Sequence, residues 1–175
     1  MVTTSHPEMR AKATSEERTT FLQAASAAFA VHRVRAAPIS IHTGVIWKTE
    51  LQSGHTALAG NALIQLASTK PKMYYSYRIL LVIEEDKGTY IPVLDHFHRT
   101  AITLEGTTDL PKHGELLDEE GDVDKEFFID NFPLFSGEPD VIITEHTYYE
   151  SWAYSIYRRA GADYNLLYTG CGGGT

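Results

Sequence analysis

The part of the sequence best suited to chemistry is the segment Asp95-His96-Phe97-His98. Successive side chains of a β-strand point to opposite faces, so in a strand His96 and His98 share one face. Two imidazoles placed in this way can hold a metal ion together, and His146 or Glu145 from a later strand could complete the site. The same histidines, with His146, could instead transfer protons near neutral pH.

A structural role competes with both hypotheses, because paired histidines on a strand are often hydrogen-bonded parts of a core or a surface. The cupin metal motif, which also begins with His-x-His on a strand, offers a check. In this chain Glu105 lies seven residues beyond His98, too far for that pattern, and no matching second motif follows. The sequence therefore assigns neither a metal nor a cofactor. His96, His98 and His146 remain catalytic candidates only under an enzyme hypothesis.

Aromatic side chains crowd two further regions of the sequence, Tyr74 to Tyr77 and Tyr148 to Tyr157. Tyrosines that face the interior of a barrel combine a large apolar area with a polar group, which suits a flat or elongated apolar ligand. We expect the wall of such a ligand-binding cavity to be formed by Tyr75, Tyr77, Ile79, Leu81, Trp152 and Tyr154.

A helix is the first element predicted along the chain. Thr14 and Glu17 have the spacing of a capping box, and apolar residues then recur at helical intervals over residues 15–34. Pro38 prevents the helix from continuing. Residues 39–47 alternate and are rich in β-branched side chains, which predicts a strand.

Strands dominate the rest of the prediction. Residues 57–67 fit either a short helix or a strand, whereas Met73–Glu85 alternates clearly and predicts a strand. The turn at 85–88 then returns the chain into 89–104 as a hairpin. Pro133 suggests an edge strand or a bend in its neighbourhood. The remaining strand-like segments are residues 127–135, 141–147, 149–157 and 164–169.

One helix followed by about seven strands predicts a mainly β protein, in which a single antiparallel sheet closes into a barrel. An alternative is a cone-shaped α+β barrel that the N-terminal helix closes. In either case we expect one domain over residues 14–169, between a flexible N-terminus at 1–13 and a flexible glycine-rich tail at 170–175.

Charge limits the classes of partner. The chain carries a net charge of −8, which is divided into +3 over residues 1–87 and −11 over 88–175. An acidic chain without a basic cluster does not suit nucleic acid or an anionic lipid surface. The acidic stretch 115–126 is interpreted as a solvated loop. With neither a signal peptide nor an apolar run of roughly 18 residues, we expect a soluble protein without membrane insertion, in a compartment that the sequence leaves unknown.

A family resemblance comes from residues 152–171, where a tryptophan, the pair Asp163-Tyr164 and a closing Leu-Leu-Tyr-Thr are similar to the final hairpin of lipocalins. Tyr157-Arg158 followed by Tyr168-Thr169 resembles the lipocalin domain of violaxanthin de-epoxidase-type proteins. Gly44-Val45-Ile46-Trp47 is similar to, and one residue longer than, the lipocalin Gly-x-Trp. The resemblance implies an eight-stranded barrel with a cavity for an apolar ligand, and no catalytic residue is transferred from it.

Three functions remain open at this point. The first is binding of an apolar small molecule, such as a pigment, a lipid or an isoprenoid, in a hydrophobic cavity. The second is a small cavity enzyme, namely an isomerase, dehydratase or cyclase, in which His96 and His98 transfer protons. The third is a structural subunit with protein partners in a larger assembly, which an exposed apolar patch would favour.

Overall fold

The computed structural model describes most of the chain, namely residues 11–35, 37, 40–51, 54–67, 73–103, 125–133, 140–148 and 151–174. As predicted, the protein is mainly β with one helix near its N-terminus. No helix in the described part of the chain has the length and apolar character needed to cross a bilayer. The predicted acidic loop lies outside the described residues, except for its C-terminal end.

The helix, α1 (Ser15–Val31), begins at the predicted capping box. The backbone N–H of Glu17 donates to Thr14 Oγ1 at 3.3 Å, and the backbone N–H of Thr14 donates to Glu17 Oε2 at 2.8 Å. The helix ends three residues before the predicted position, because Arg33 adopts a left-handed backbone with φ of 64°. Phe21 and Phe29 are fully buried on its inner face, and each contributes roughly 1.5–3 kcal/mol of hydrophobic stabilisation.

Ten strands account for most of the remaining described residues. Their bounds are β1 (Ala11–Lys12), β2 (His42–Thr43), β3 (Trp47–Glu50), β4 (Thr56–Ala67), β5 (Met73–Asp86), β6 (Thr89–Thr103), β7 (Lys125–Pro133), β8 (Asp140–Tyr148), β9 (Ser151–Ala160) and β10 (Asp163–Gly174). The ambiguous segment 57–67 is thus a strand. The single strand predicted over 39–47 is wrong, since only the short β2 and the start of β3 fall within it.

The strands form two antiparallel sheets. Sheet A has the order β1-β3-β4-β5-β6, with β2 also paired to β4, and sheet B has the order β10-β9-β8-β7. Strand β7 is an edge strand that ends at Pro133 and carries a bulge between Phe128 and Asp130, as its proline suggests. Within the described residues no ladder of hydrogen bonds joins sheet A to sheet B.

Sheet A is the middle of three layers, and its strands alternate between two cores. On β5, Ile79 and Leu81 pack against α1, whereas Leu80 and Val82 face sheet B. The second core is completed from sheet B by side chains that include Phe128, Ile142, Tyr157 and Tyr164. Each strand of sheet A therefore presents one set of residues to the helix and the alternate set to sheet B.

The predicted hairpin joins β5 to β6 and is the longest ladder among the described strands. Its turn places Lys87 and Gly88 at φ values of 51° and 82°, the left-handed pair that a tight two-residue hairpin turn requires. The ladder carries Arg78 opposite His98 and Leu80 opposite His96. This register places both histidines on the face of sheet A that meets sheet B.

The glycine-rich C-terminus is part of a strand as far as residue 174. Gly170, Gly173 and Gly174 pair with β9, in the region for which the sequence predicts a flexible tail. A Cβ atom at Gly172 would overlap the backbone carbonyl oxygen of Trp152, so only glycine fits this approach of the two strands. The structure thus places residues 170–174 in the sheet B ladder.

Candidate metal centre

Four side chains from three strands meet between the two sheets. Strand β6 supplies His96 and His98, and β7 and β8 supply Glu126 and His146, which stand opposite each other in the sheet B ladder. All four face the space between the sheets, because their strands alternate in the same sense as the neighbouring core residues. The three catalytic candidates from the sequence are therefore brought together, and a buried carboxylate joins them.

The potential ligand atoms of this cluster lie within 4.8 Å of one another. Glu126 Oε2 is 3.1 Å from His146 Nε2 and 3.3 Å from His98 Nε2, and it also contacts His96 Nδ1. His98 Nε2 and His96 Nδ1 are 3.3 Å apart. Three nitrogens and one carboxylate oxygen thus converge on a single small volume.

The second oxygen of the carboxylate is held by two hydroxyl groups. Thr144 Oγ1 donates to Glu126 Oε1 at 2.6 Å, and the Tyr157 hydroxyl donates to the same oxygen at 2.9 Å. The Tyr157 oxygen also lies 2.8 Å from His96 Nδ1. These contacts fix the orientation of the carboxylate, so that Oε2 is directed at the three imidazoles.

Electrostatic interactions keep the Glu126 carboxyl ionised despite its position in the interior. Burial alone would raise its pKa, but the hydrogen bonds from His146, His96 and His98 outweigh burial and hold that pKa well below the usual value. The same contact with Glu126 raises the pKa of His96. The Glu126 carboxylate is therefore a buried anion stabilised by imidazole donors.

Among the described residues of the cluster, the two β6 histidines are more exposed than Glu126 and His146. The side chains of Glu126 and His146 are 1% and 8% exposed, whereas those of His96 and His98 are 36% and 23% exposed. The carboxylate therefore forms the floor of the site, and the two β6 histidines form its solvent-facing rim.

Sequence reasoning missed Glu126 and named the wrong acidic residue. Glu126 was included in the acidic stretch interpreted as a solvated loop, but its side chain is buried in β7. Glu145, the proposed acidic partner, neighbours His146 on β8, so its side chain points away from the cluster to the outer face of sheet B. The local signal for Glu126 was its position at the boundary between an acidic run and the apolar pair Phe127-Phe128.

The residues predicted to line an apolar cavity do not converge. Tyr75, Tyr77, Ile79 and Leu81 alternate onto the face of sheet A that α1 covers, and Tyr77 packs with Phe97 in the helix-side core. Trp152 and Tyr154 contact each other on the outer face of sheet B, with ring centroids 5.3 Å apart. A surface hollow of about 380 Å³ is lined instead by Lys12, Ala13, Arg18 and Thr43 to Ile46.

A second polar contact crosses between the sheets away from the histidines. Arg159 on β9 donates to both oxygens of Glu84 on β5, at 3.1 and 2.7 Å, and the Glu84 side chain is only 3% exposed. The guanidinium carbon also lies 5.6 Å above the ring of Tyr164. This two-pronged ion pair ties sheet A to sheet B, as the histidine cluster does elsewhere in the interface.

Comparison of the chain with family models, with curated proteins and with solved structures gave no match. The function must therefore be inferred from the site itself.

Proposed function

We propose that the protein binds one divalent transition-metal ion through His96, His98, Glu126 and His146 and uses it for chemistry on a small molecule. The observation that carries this proposal is the convergence of four potential ligand atoms within 4.8 Å of one another. Two ligands of one ion at about 2.1 Å stand roughly 3.0 Å apart at a right angle and roughly 3.4 Å apart at a tetrahedral angle. Three of the separations in the cluster, at 3.1, 3.3 and 3.3 Å, fall in this range.

The set of donors favours particular metals. Three imidazole nitrogens suit zinc, iron, copper, cobalt or nickel, whereas calcium and magnesium prefer ligands made entirely of oxygen. One carboxylate reduces the charge of a divalent ion to +1 and leaves the centre attractive to anions. Thr144 and Tyr157 would serve as the outer hydrogen-bonding partners that orient a metal-bound carboxylate.

Accessibility supports a catalytic site over a purely structural one. Structural metal sites are closed, but His96 and His98 form an edge that solvent reaches. An ion that takes six ligands would keep two positions open beside the four protein donors. At such positions the ion can polarise an oxygen of a bound molecule or lower the pKa of a bound water.

Metal binding can be measured directly. We expect the purified protein, stripped with chelator and titrated with Zn²⁺ or Co²⁺ in a calorimeter, to bind one equivalent. His98→Ala and His146→Ala should each abolish this stoichiometric binding. His32→Ala is the matched control, because His32 lies at the end of α1, bonded to Asp95 rather than to the cluster, and should bind like the wild type.

Two outcomes would contradict the proposal. One is a folded wild type that binds neither ion at one equivalent, and the other is equal binding by the wild type, His98→Ala and His146→Ala. A metal-free protein that turned over a substrate and lost turnover in His98→Ala would instead support proton transfer by the histidines alone.

A role as a subunit that packs on protein partners is a second candidate. The observation that favours it is the apolar outer face of sheet B, where Trp152 is 42% exposed beside Tyr154 and where Phe127 and Ile129 are each 37% exposed. Self-association or partner binding that is lost in Trp152→Ser and kept in His98→Ala would separate this candidate from the metal centre.

A further inference from the structure

The surface hollow beside Lys12 and Arg18 lies where the first turn of α1 meets sheet A, and its volume is about 380 Å³. Arg18 is on the inner side of the helix, because it precedes the buried Phe21 by three residues. Thr43 on β2 stands opposite Ala62, which belongs to the helix-side core, so the Thr43 side chain faces the helix as well. The helix and the sheet thus each contribute a polar side chain to the hollow.

The charge of the hollow is positive. Lys12 and Arg18 both line it, and neither side chain forms an ion pair or a hydrogen bond with another described residue. The neighbouring Glu17 carboxylate is already paired, because it accepts from Lys48 Nζ at 2.6 Å and from the backbone N–H of Thr14 at 2.8 Å. Two cations without a protein partner, beside one concave surface, favour an anionic ligand.

Thr43 adds a hydrogen-bond donor to the hollow. Its Oγ1 is buried and has no hydrogen-bond partner among the described residues. Buried polar groups in native proteins almost always have a partner, so this hydroxyl indicates a position for an acceptor. A Cβ atom at Gly44 would meet no heavy atom within 4 Å, and Val45 is 48% exposed. The hollow therefore combines polar donors with free space and an apolar wall.

We propose that this hollow binds a small phosphate monoester. Such an ester carries nearly two negative charges at neutral pH, which match the charges of Lys12 and Arg18. Its three terminal oxygens can accept from the guanidinium, the ammonium and the Thr43 hydroxyl. The volume is near the lower end of the range for small-molecule sites and leaves room for the organic part of the ester beside Val45. None of the described residues that line the hollow belongs to the histidine cluster, so this inference is independent of the metal centre.

The test is a calorimetric titration of the full chain, treated with chelator, with phenyl phosphate and with benzoate. We expect phenyl phosphate to bind at one equivalent, and benzoate, which carries a single charge, to bind about 10-fold more weakly or worse. Arg18→Met should raise the dissociation constant of phenyl phosphate roughly 10- to 100-fold, and Thr43→Val roughly 10-fold. Gly44→Leu should remove binding, because the added side chain fills the hollow at a position without a left-handed backbone.

Arg35→Met is the matched control for charge, because Arg35 is exposed beyond the other end of α1 and does not line the hollow. This variant and His98→Ala should both bind phenyl phosphate like the wild type. The inference is overturned if phenyl phosphate does not bind to the wild type, if benzoate binds equally well, or if folded Arg18→Met and Gly44→Leu bind as well as the wild type. Loss of binding in His98→Ala would place the anion at the histidine cluster and would overturn the inference too.

Discussion

Tyr157→Phe tests whether the hydroxyl that bridges the cluster supports metal binding. The hydroxyl donates to Glu126 Oε1 at 2.9 Å and lies 2.8 Å from His96 Nδ1, and the residue is 4% exposed. Phenylalanine keeps the ring in the core between the sheets and removes only the oxygen. The substitution therefore separates the hydrogen bond from the packing.

The expected loss of metal affinity depends on Thr144, which is the second donor to Glu126 Oε1. Loss of an outer hydrogen-bonding partner of a metal ligand typically lowers metal affinity about 10- to 100-fold, or about 1.4–2.7 kcal/mol. Thr144 still donates to Glu126 Oε1 at 2.6 Å in the variant, so the carboxylate keeps part of its orientation. We expect a loss near the lower end, roughly 10- to 30-fold.

The assay is competition for Zn²⁺ with a chromophoric chelator at fixed pH and salt. Tyr164→Phe is the control, because Tyr164 is 5% exposed in the same core but neighbours Arg159 rather than the histidines. Its Zn²⁺ affinity should stay within about threefold of the wild type, below the range for an outer partner. Equal losses in the two variants, or an unchanged affinity in Tyr157→Phe, would refute the argument.

Two further predictions concern stability. Arg159→Met should lower the free energy of unfolding in urea by about 2–3 kcal/mol, because it removes the two-pronged partner of the buried Glu84 carboxylate and leaves the 3.4 Å contact with His55 Nδ1 in place. The exposed Arg158→Met should cost less than about 1 kcal/mol, and equal costs in the two variants would contradict this account. The hydrogen bond from Lys48 lowers the pKa of Glu17. This hydrogen bond stabilises the folded protein at pH values above the ordinary carboxyl pKa, and its contribution is lost as the pH falls through the lowered pKa of Glu17. Glu17→Gln should therefore melt at a lower temperature than the wild type at neutral pH and at the same temperature in strong acid. A difference that persisted in acid would argue against this ion pair.

Features that depend on neighbours in sequence were predictable. The capping box of Thr14 and Glu17 and the hairpin of β5 and β6 rest on contacts within a few residues or on a single tight turn. The shared face of His96 and His98 follows from strand alternation alone. These three local signals agree with the tertiary packing, and each of the three predictions is confirmed.

The carboxylate of the cluster could not be predicted in the same way. Glu126 lies 28 residues after His98 and reaches it only because β7 of sheet B packs across β6 of sheet A. Its position beside the apolar pair Phe127-Phe128 distinguishes Glu126 from the acidic residues before it, but that position does not say what its side chain contacts. Its identification required the packing of two sheets, which strand alternation does not specify.

The aromatic residues show a related limit. Alternation correctly groups Tyr75, Tyr77, Ile79 and Leu81 on one face of β5, but it does not state what covers that face. The sequence argument placed a ligand cavity there, whereas α1 occupies the position with Phe21 and other apolar side chains. The alternation of side chains along a strand identifies which residues share a face, and only tertiary packing decides whether the helix or the second sheet covers that face.

The distribution of the cluster over two sheets has a consequence for synthesis of the chain. The ribosome completes the β5–β6 hairpin, with His96, His98 and Arg78, well before it reaches Glu126, His146 and Tyr157. At that stage the nascent chain offers only two of the four proposed ligands, His96 and His98, which form a weak and unselective pair. The full set exists once sheet B has docked, so the proposed metal would be chosen by the finished protein from the ions around it, in the compartment where folding ends.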